Sequence, residues 1–183
     1  PTPEPCYPRA VGIPVAVGVQ PYGSAAVDGS ATVFVANHGK DGADGSVTVL
    51  EGTTVVATIN TGGQPYGVAY NPQNQRIYVT DESLGQLLII NPSTYAIEKR
   101  LGGLANPRGL AIDRATGHAY VASPGTSGTG AVRVYSLTDV QNSSQGTLVN
   151  SVGNSPSWVA VDSAAHKAYV TLQGETTNNL AVI

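Results

Sequence analysis

Short runs of alternating apolar and polar residues, broken by Gly, Pro, Asn and Asp, make up most of the chain. The stretch 66–103 shows the pattern in full. Tyr66 to Tyr70 reads as a strand, and Asn71-Pro72-Gln73-Asn74 as a turn, because Pro sets φ and Asn tolerates turn geometry. Arg76 to Thr80 reads as the next strand, with Ile77 and Val79 alternating against Arg76 and Tyr78. Asp81 to Gly85 is a loop, Gln86 to Ile90 a third strand, Asn91-Pro92-Ser93-Thr94 a second turn, and Ala96 to Leu101 a fourth strand closed by Gly102-Gly103. No segment sustains the i, i+3, i+4 spacing of an amphipathic helix, so the pattern predicts an all-β chain with almost no helix.

The same unit recurs. Four segments open with Pro: Pro21-Tyr22-Gly23, Pro65-Tyr66-Gly67, Pro107-Arg108-Gly109 and Pro156-Ser157-Trp158, spaced by 44, 42 and 49 residues. Thirteen residues after each Pro comes an aromatic followed by Val: Phe34-Val35, Tyr78-Val79, Tyr120-Val121 and Tyr169-Val170. Four residues after each Pro stands an alanine (Ala25, Ala69, Ala111, Ala160), and Asp28, Asn71, Asp113 or Asp162 follows as a strand breaker. A period of 40–50 residues with four short strands fits the blade of a β-propeller, in which stacking around an axis buries faces that one thin sheet cannot cover. The small alanine fits inner strands crowding that axis. A β-sandwich of repeated hairpins is the rival architecture.

Tyr78-Val79-Thr80-Asp81, Tyr169-Val170-Thr171 and the Pro65-Tyr66-Gly67-Val68-Ala69 opening resemble the YVTN-type β-propeller repeat family, which includes surface-layer-like repeats. The resemblance runs from about Val11 to the C-terminus. It implies four-stranded blades, seven to a ring more often than four, and an exported or cell-surface scaffold or binder. The motif itself marks strands rather than chemistry. Related propellers include lyases and redox enzymes.

The phase of the ends suggests how such a ring closes. Residues 1–12 read as an extended leader and 13–183 as the propeller. Ile13 to Val19 matches the outer strands that precede the other prolines, and Leu180 to Ile183 matches a third strand. An N-terminal strand completing the last blade would close a four-bladed ring and hide strand edges. The chain could instead be part of a larger propeller, or lend its first strand to a neighbouring molecule and build a head-to-tail filament.

Composition narrows the function classes. Nine Lys and Arg against twelve Asp and Glu give a net charge of −3, which is no field for nucleic acid. No apolar run approaches the roughly 20 residues of a membrane helix. Few lysines among many Thr, Ser, Gly and Asn suit an extracellular, cell-surface or periplasmic setting. Asn142-Ser143-Ser144 is a possible glycan acceptor. Cys6 is the one cysteine; it is a buried thiol or a bridge to another chain.

Candidate chemistry gathers on one face of the expected ring, where the loops leading into the inner strands meet those joining second to third strands. Tyr22, Tyr66, Arg108 and Trp158 would line the channel mouth and stack on sugar or aromatic rings, or simply plug the channel. His38 and Asp81 lie on the adjoining loops. With Arg108 they form the trio a lyase or hydrolase could use. Asp41 and Asp44 suggest a calcium loop, although the closing Glu and regular alternation of an EF-hand are missing. No zinc spacing, nucleophile elbow or phosphate loop occurs, so no cofactor is expected. The sequence therefore points to a non-enzymatic scaffold that binds protein or glycan at a cell surface. Self-assembly through the first strand or Cys6 is the further expectation.

Overall fold

Asn71, Asp113 and Asp162 turn the first strand of their units into the second. Asn71 Oδ1 accepts the N–H of Gln73 at 3.0 Å, Asp113 Oδ1 that of Ala115 at 2.9 Å, and Asp162 Oδ1 those of Ala164 and Ala165, both at 3.0 Å. These Asx turns replace the backbone pairing that a strand reversal forfeits. Gln75, Gly117 and His166 complete them with φ of 54°, 69° and 52°.

The computed structural model describes residues 12, 14–41, 44–126, 130–137, 146–149, 152–174 and 180–183. Among them, fifteen strands form four antiparallel meanders, each in sequence order. The first holds β1 (Pro21–Ala26), β2 (Thr32–Asn37), β3 (Ser46–Glu51) and β4 (Thr54–Asn60). The second holds β5 (Pro65–Asn71), β6 (Arg76–Asp81), β7 (Gln86–Ile90) and β8 (Ile97–Leu101). The third holds β9 (Leu110–Asp113), β10 (His118–Ser123), β11 (Ala131–Ser136) and β12 (Thr147–Val149). The fourth has three strands, β13 (Pro156–Asp162), β14 (Lys167–Leu172) and β15 (Leu180–Val182). The all-β expectation holds, and the strands of the second unit fall within a residue of their expected bounds.

Register explains the sequence repeat. Ala25 pairs with Phe34, Ala69 with Tyr78, Ala111 with Tyr120 and Ala160 with Tyr169. The recurring alanine is thus the small cross-strand partner of the recurring aromatic. Crowding between sheets falls elsewhere, on the glycine two places after the proline in the first three units. A Cβ on Gly23 would lie 2.5 Å from Tyr66 O, one on Gly67 2.5 Å from Arg108 O, and one on Gly109 2.5 Å from Trp158 Cα. The freed space is used for polar ties. Thr80 Oγ1 accepts the Gly67 N–H at 2.8 Å and donates to Arg108 O at 2.7 Å, and Gly109 N–H donates to Ser157 O at 3.0 Å.

Three apolar layers fill the gaps between consecutive sheets. Phe34, Val47 and Val49 meet Ile77, Val79, Leu88 and Ile90; Tyr78, Leu87 and Ile89 meet Leu110, Val121 and Tyr135; Ala122 and Val132 meet Val159, Ala168 and Val170. No corresponding apolar cluster joins the fourth sheet to the first among the described residues. No closed ring is detected among the described residues. Residues 14–20 carry no strand. The backbone of residues 18–20 is engaged by the first sheet: Gly18 N–H donates to Asn37 Oδ1 at 3.1 Å, Gly39 N–H to Val19 O at 3.0 Å and His38 N–H to Gln20 O at 2.9 Å. The outer strand expected at 13–19 is thus not formed over its described residues, and Ile13 lies outside the described residues, as do Cys6, Asn142 and the rest of the leader apart from Gly12.

Gly67→Ala is expected to cost about 1–3 kcal/mol through overpacking, whereas Gly102→Ala, whose Cβ would meet nothing within 4 Å, stays within about 0.5 kcal/mol; urea unfolding of both variants checks this. Burial pushes the Asp113 carboxyl up, but hydrogen bonds from Ser163, Thr116 and the N–H groups of Ala115 and Thr116 outweigh it and hold the group at about 2 against an ordinary 3.8. A depressed carboxylate stabilises the fold above its unfolded value and loses that contribution as pH falls through the folded one. The urea midpoint is therefore expected to drop between pH 3.8 and about 2, and Asp113→Asn to remove that part of the drop.

Candidate functional site

The connections before β5 and β9 and those after β2 and β6 emerge at one end of the inner strands. They bring Gln64, Arg108, His38 and Glu82 beside Tyr22 and Tyr66, which begin β1 and β5. The Tyr22 and Tyr66 rings stack at 4.4 Å between centroids with 14° between planes. His38 meets both edge-on, at 5.3 Å from Tyr22 and 6.0 Å from Tyr66. Trp158 approaches Tyr66 from the fourth sheet at 6.3 Å and 61°, and the Arg108 guanidinium lies 5.6 Å from the Tyr66 centroid. Offset stacks, edge contacts and a cation over a ring suit the quadrupole of these side chains.

Glu82 holds the polar side of the cluster. Arg108 Nε and Nη2 both donate to Glu82 Oε1 at 2.7 Å, and His38 Nε2 donates to Oε2 at 3.0 Å. A carboxylate only accepts, so Nε2 carries the proton of that bond, and Nδ1 lies 3.3 Å from Gly39 O and 3.4 Å from Gln64 Nε2. The Glu82 and His38 side chains are largely buried, Arg108 less so. Burial raises the Tyr66 phenol above its ordinary value; Arg108 pulls it down, and Tyr22 and Glu82 push it up.

The structure brings together five of the six residues singled out in the sequence: Tyr22, Tyr66, Arg108, Trp158 and His38. Asp81 is not among them. It is fully buried, and its Oδ1 accepts from the N–H groups of Gln64 at 3.0 Å and Leu84 at 3.1 Å, which fixes the loop after β6. Glu82 takes the acidic place instead. In the Asp81-Glu82 pair, strand alternation turns the first side chain inward and frees the next, which was the available signal. Asp44 Oδ1 accepts from the N–H groups of Lys40 at 2.9 Å and Asp41 at 3.2 Å, closing a turn. Among the described residues no group of three or more His, Cys, Asp and Glu converges as metal ligands.

Both Glu82 oxygens are occupied, and the buried Asp81 serves a turn, so the expected His38–Asp81–Arg108 trio does not form. The aromatic faces are in a different state. Tyr22 is 55% exposed and Trp158 44%, too open for rings that merely plug a channel.

No family model matches the sequence, and no curated protein matches it. Solved structures do. Kuenenia stuttgartiensis hydrazine synthase superposes over 97% of the chain with a TM-score of 0.77 at 17% identity, and a nidogen/laminin complex over 82% with 0.65 at 18%. Both are propeller-containing proteins. The fold is propeller-like. The chain spans 49% and 56% of the length of those two chains, about half of each.

A double-mutant cycle on Glu82→Gln and Arg108→Gln, read by urea unfolding, is expected to return a coupling of about 1 kcal/mol, with each single variant destabilised.

Proposed function

We propose that the chain is a non-enzymatic, exported binding scaffold of the YVTN repeat type, whose ligand, a protein or glycan at a cell surface, seats on the Tyr22–Tyr66–Trp158 rim. The single observation that supports this is the exposure of Tyr22 and Trp158 beside a partly covered Tyr66 and a guanidinium. Flat, amphipathic rings held by a rigid frame supply contact area at little entropic cost, and sugar faces stack on them. Arg108 adds a donor beside the rings. A lyase or hydrolase would need a free base or acid here, and both Glu82 oxygens are already taken by His38 and Arg108. Export is supported by the surface composition, poor in Lys and rich in Thr, Ser, Gly and Asn.

Trp158 is the only tryptophan in the chain, so its fluorescence reports the rim alone. Titration with a panel of neutral and uronate-bearing oligosaccharides is expected to give a saturable change. Tyr22→Ala, at an exposed position, is expected to weaken binding about tenfold, or roughly 1.4 kcal/mol. Saturable binding that Tyr22→Ala leaves untouched, or no saturable change with any sugar of the panel, overturns the glycan reading.

A further inference from the structure

At the end of the inner strands opposite the rim, the first two sheets part. At the matching end of the next seam, side chains of the second unit reach the backbone of the third: Asn74 Nδ2 donates to Leu137 O at 3.3 Å, and Gln73 Nε2 donates to Arg114 O. Between the first and second sheets a cleft of about 440 Å³ stays open instead. Its floor is apolar and aromatic, since Val27, Tyr70 and Tyr95 pack there on the layer that joins the two sheets. The Tyr95 ring stands edge-on to Phe34 at 6.2 Å. Asp28 and Glu51 line the same cleft. The two carboxylates differ. Asp28 Oδ2 accepts from Arg114 Nη1 at 2.9 Å, so its charge is already met from the third unit. Glu51 Oε1 accepts from Thr32 Oγ1 at 2.7 Å, and among the described residues no Lys, Arg or His forms an ion pair with it. The adjoining turn does not account for Glu51. It follows Leu50 as Asn91 follows Ile90 and Ser136 follows Tyr135, at one register. Asn91 builds its turn, accepting from the N–H groups of Ser93 at 2.9 Å and Thr94 at 3.3 Å. In the first sheet Gly52 supplies the turn with a φ of 60°, and the Glu51 carboxylate takes no part.

We propose that this cleft is a second binding site, which takes an alkylguanidinium or alkylammonium group. The Glu51 carboxylate meets the charge, and the Tyr70 and Tyr95 rings cover the alkyl stem and favour a cation beside them. A metal ion fits poorly. Calcium wants six or more oxygens, whereas no three His, Cys, Asp or Glu converge among the described residues. The cleft lies between two four-stranded sheets, and neither end of the array contributes to it. It stands at the far end of the strands from Tyr22 and Trp158, so the inference is independent of the ligand reading for the rim.

Isothermal titration calorimetry of the whole chain with butylguanidinium is expected to show saturable binding with a dissociation constant of about 1 mM. Butylurea, the neutral counterpart of the same shape, is expected not to bind. Glu51→Gln keeps an acceptor for Thr32 and removes the charge, and is expected to weaken binding about fivefold. Asp41→Asn removes an equal charge from an exposed loop at the other end of the strands and is expected to change nothing. A blocked Gly-Arg-Gly tripeptide separates two sources of the cation. Binding tighter than that of butylguanidinium assigns the cleft to a side chain of a protein partner, and equal or weaker binding assigns it to a free small cation. The proposal is overturned by the absence of saturable heat with both cations, or by butylurea binding as well as butylguanidinium. It is equally overturned by a Glu51→Gln variant that binds as the parent does, or by Asp41→Asn weakening binding as much as Glu51→Gln, which is a diffuse field and not a site.

Discussion

Everything in this molecule depends on how closely one inner strand can pass another. At Gly23, Gly67 and Gly109 the neighbouring backbone occupies the volume a Cβ would need. Only at that separation does the Thr80 hydroxyl reach from the Gly67 amide to the Arg108 carbonyl, and the Gly109 amide reach Ser157. The apolar layers then fill what the backbone spacing leaves. A side chain at any of these glycines would push sheets apart along their whole length, because interiors packed to crystal density do not absorb such a shift locally.

The candidate site is a by-product of the same spacing. Tyr22 and Tyr66 stand one residue before Gly23 and Gly67, so the pitch that brings sheets together also brings those rings to stacking distance. Arg108 precedes Gly109 in the same way and reaches back to Glu82 of the second sheet. In the fourth unit the order changes. Trp158 itself occupies the glycine place, and its indole turns toward Tyr66. Fold and rim are thus two readings of one repeated tripeptide.

Much of the fold was legible because its period is written in residues that act locally. Proline, the Asx turns at Asn71, Asp113 and Asp162, and the alternation in β6 and β7 each carry their own geometry. The alanine–aromatic recurrence was visible, but its reason lay in cross-strand register, which no linear spacing states. Ring closure was one of three readings that the ends of the sequence left open, and the strand it called for is not formed over residues 14–19. Strand-like composition there says nothing of whether a pairing edge is within reach. At the site, aromatic and basic positions followed from the repeat. The acidic one did not, because Asp81 and Glu82 are adjacent and chemically alike, and only burial tells them apart.

Glu82 sits where three sheets meet. Its two oxygens fasten His38 of the first sheet and Arg108 of the third to its own loop in the second. Drift at any of these three residues would therefore be felt as a change in how the sheets dock. Tyr22 and Trp158 have no such duty and project into water. Substitutions at those two exposed rings would therefore leave the docking of the sheets untouched, whereas any at Glu82, His38 or Arg108 would not.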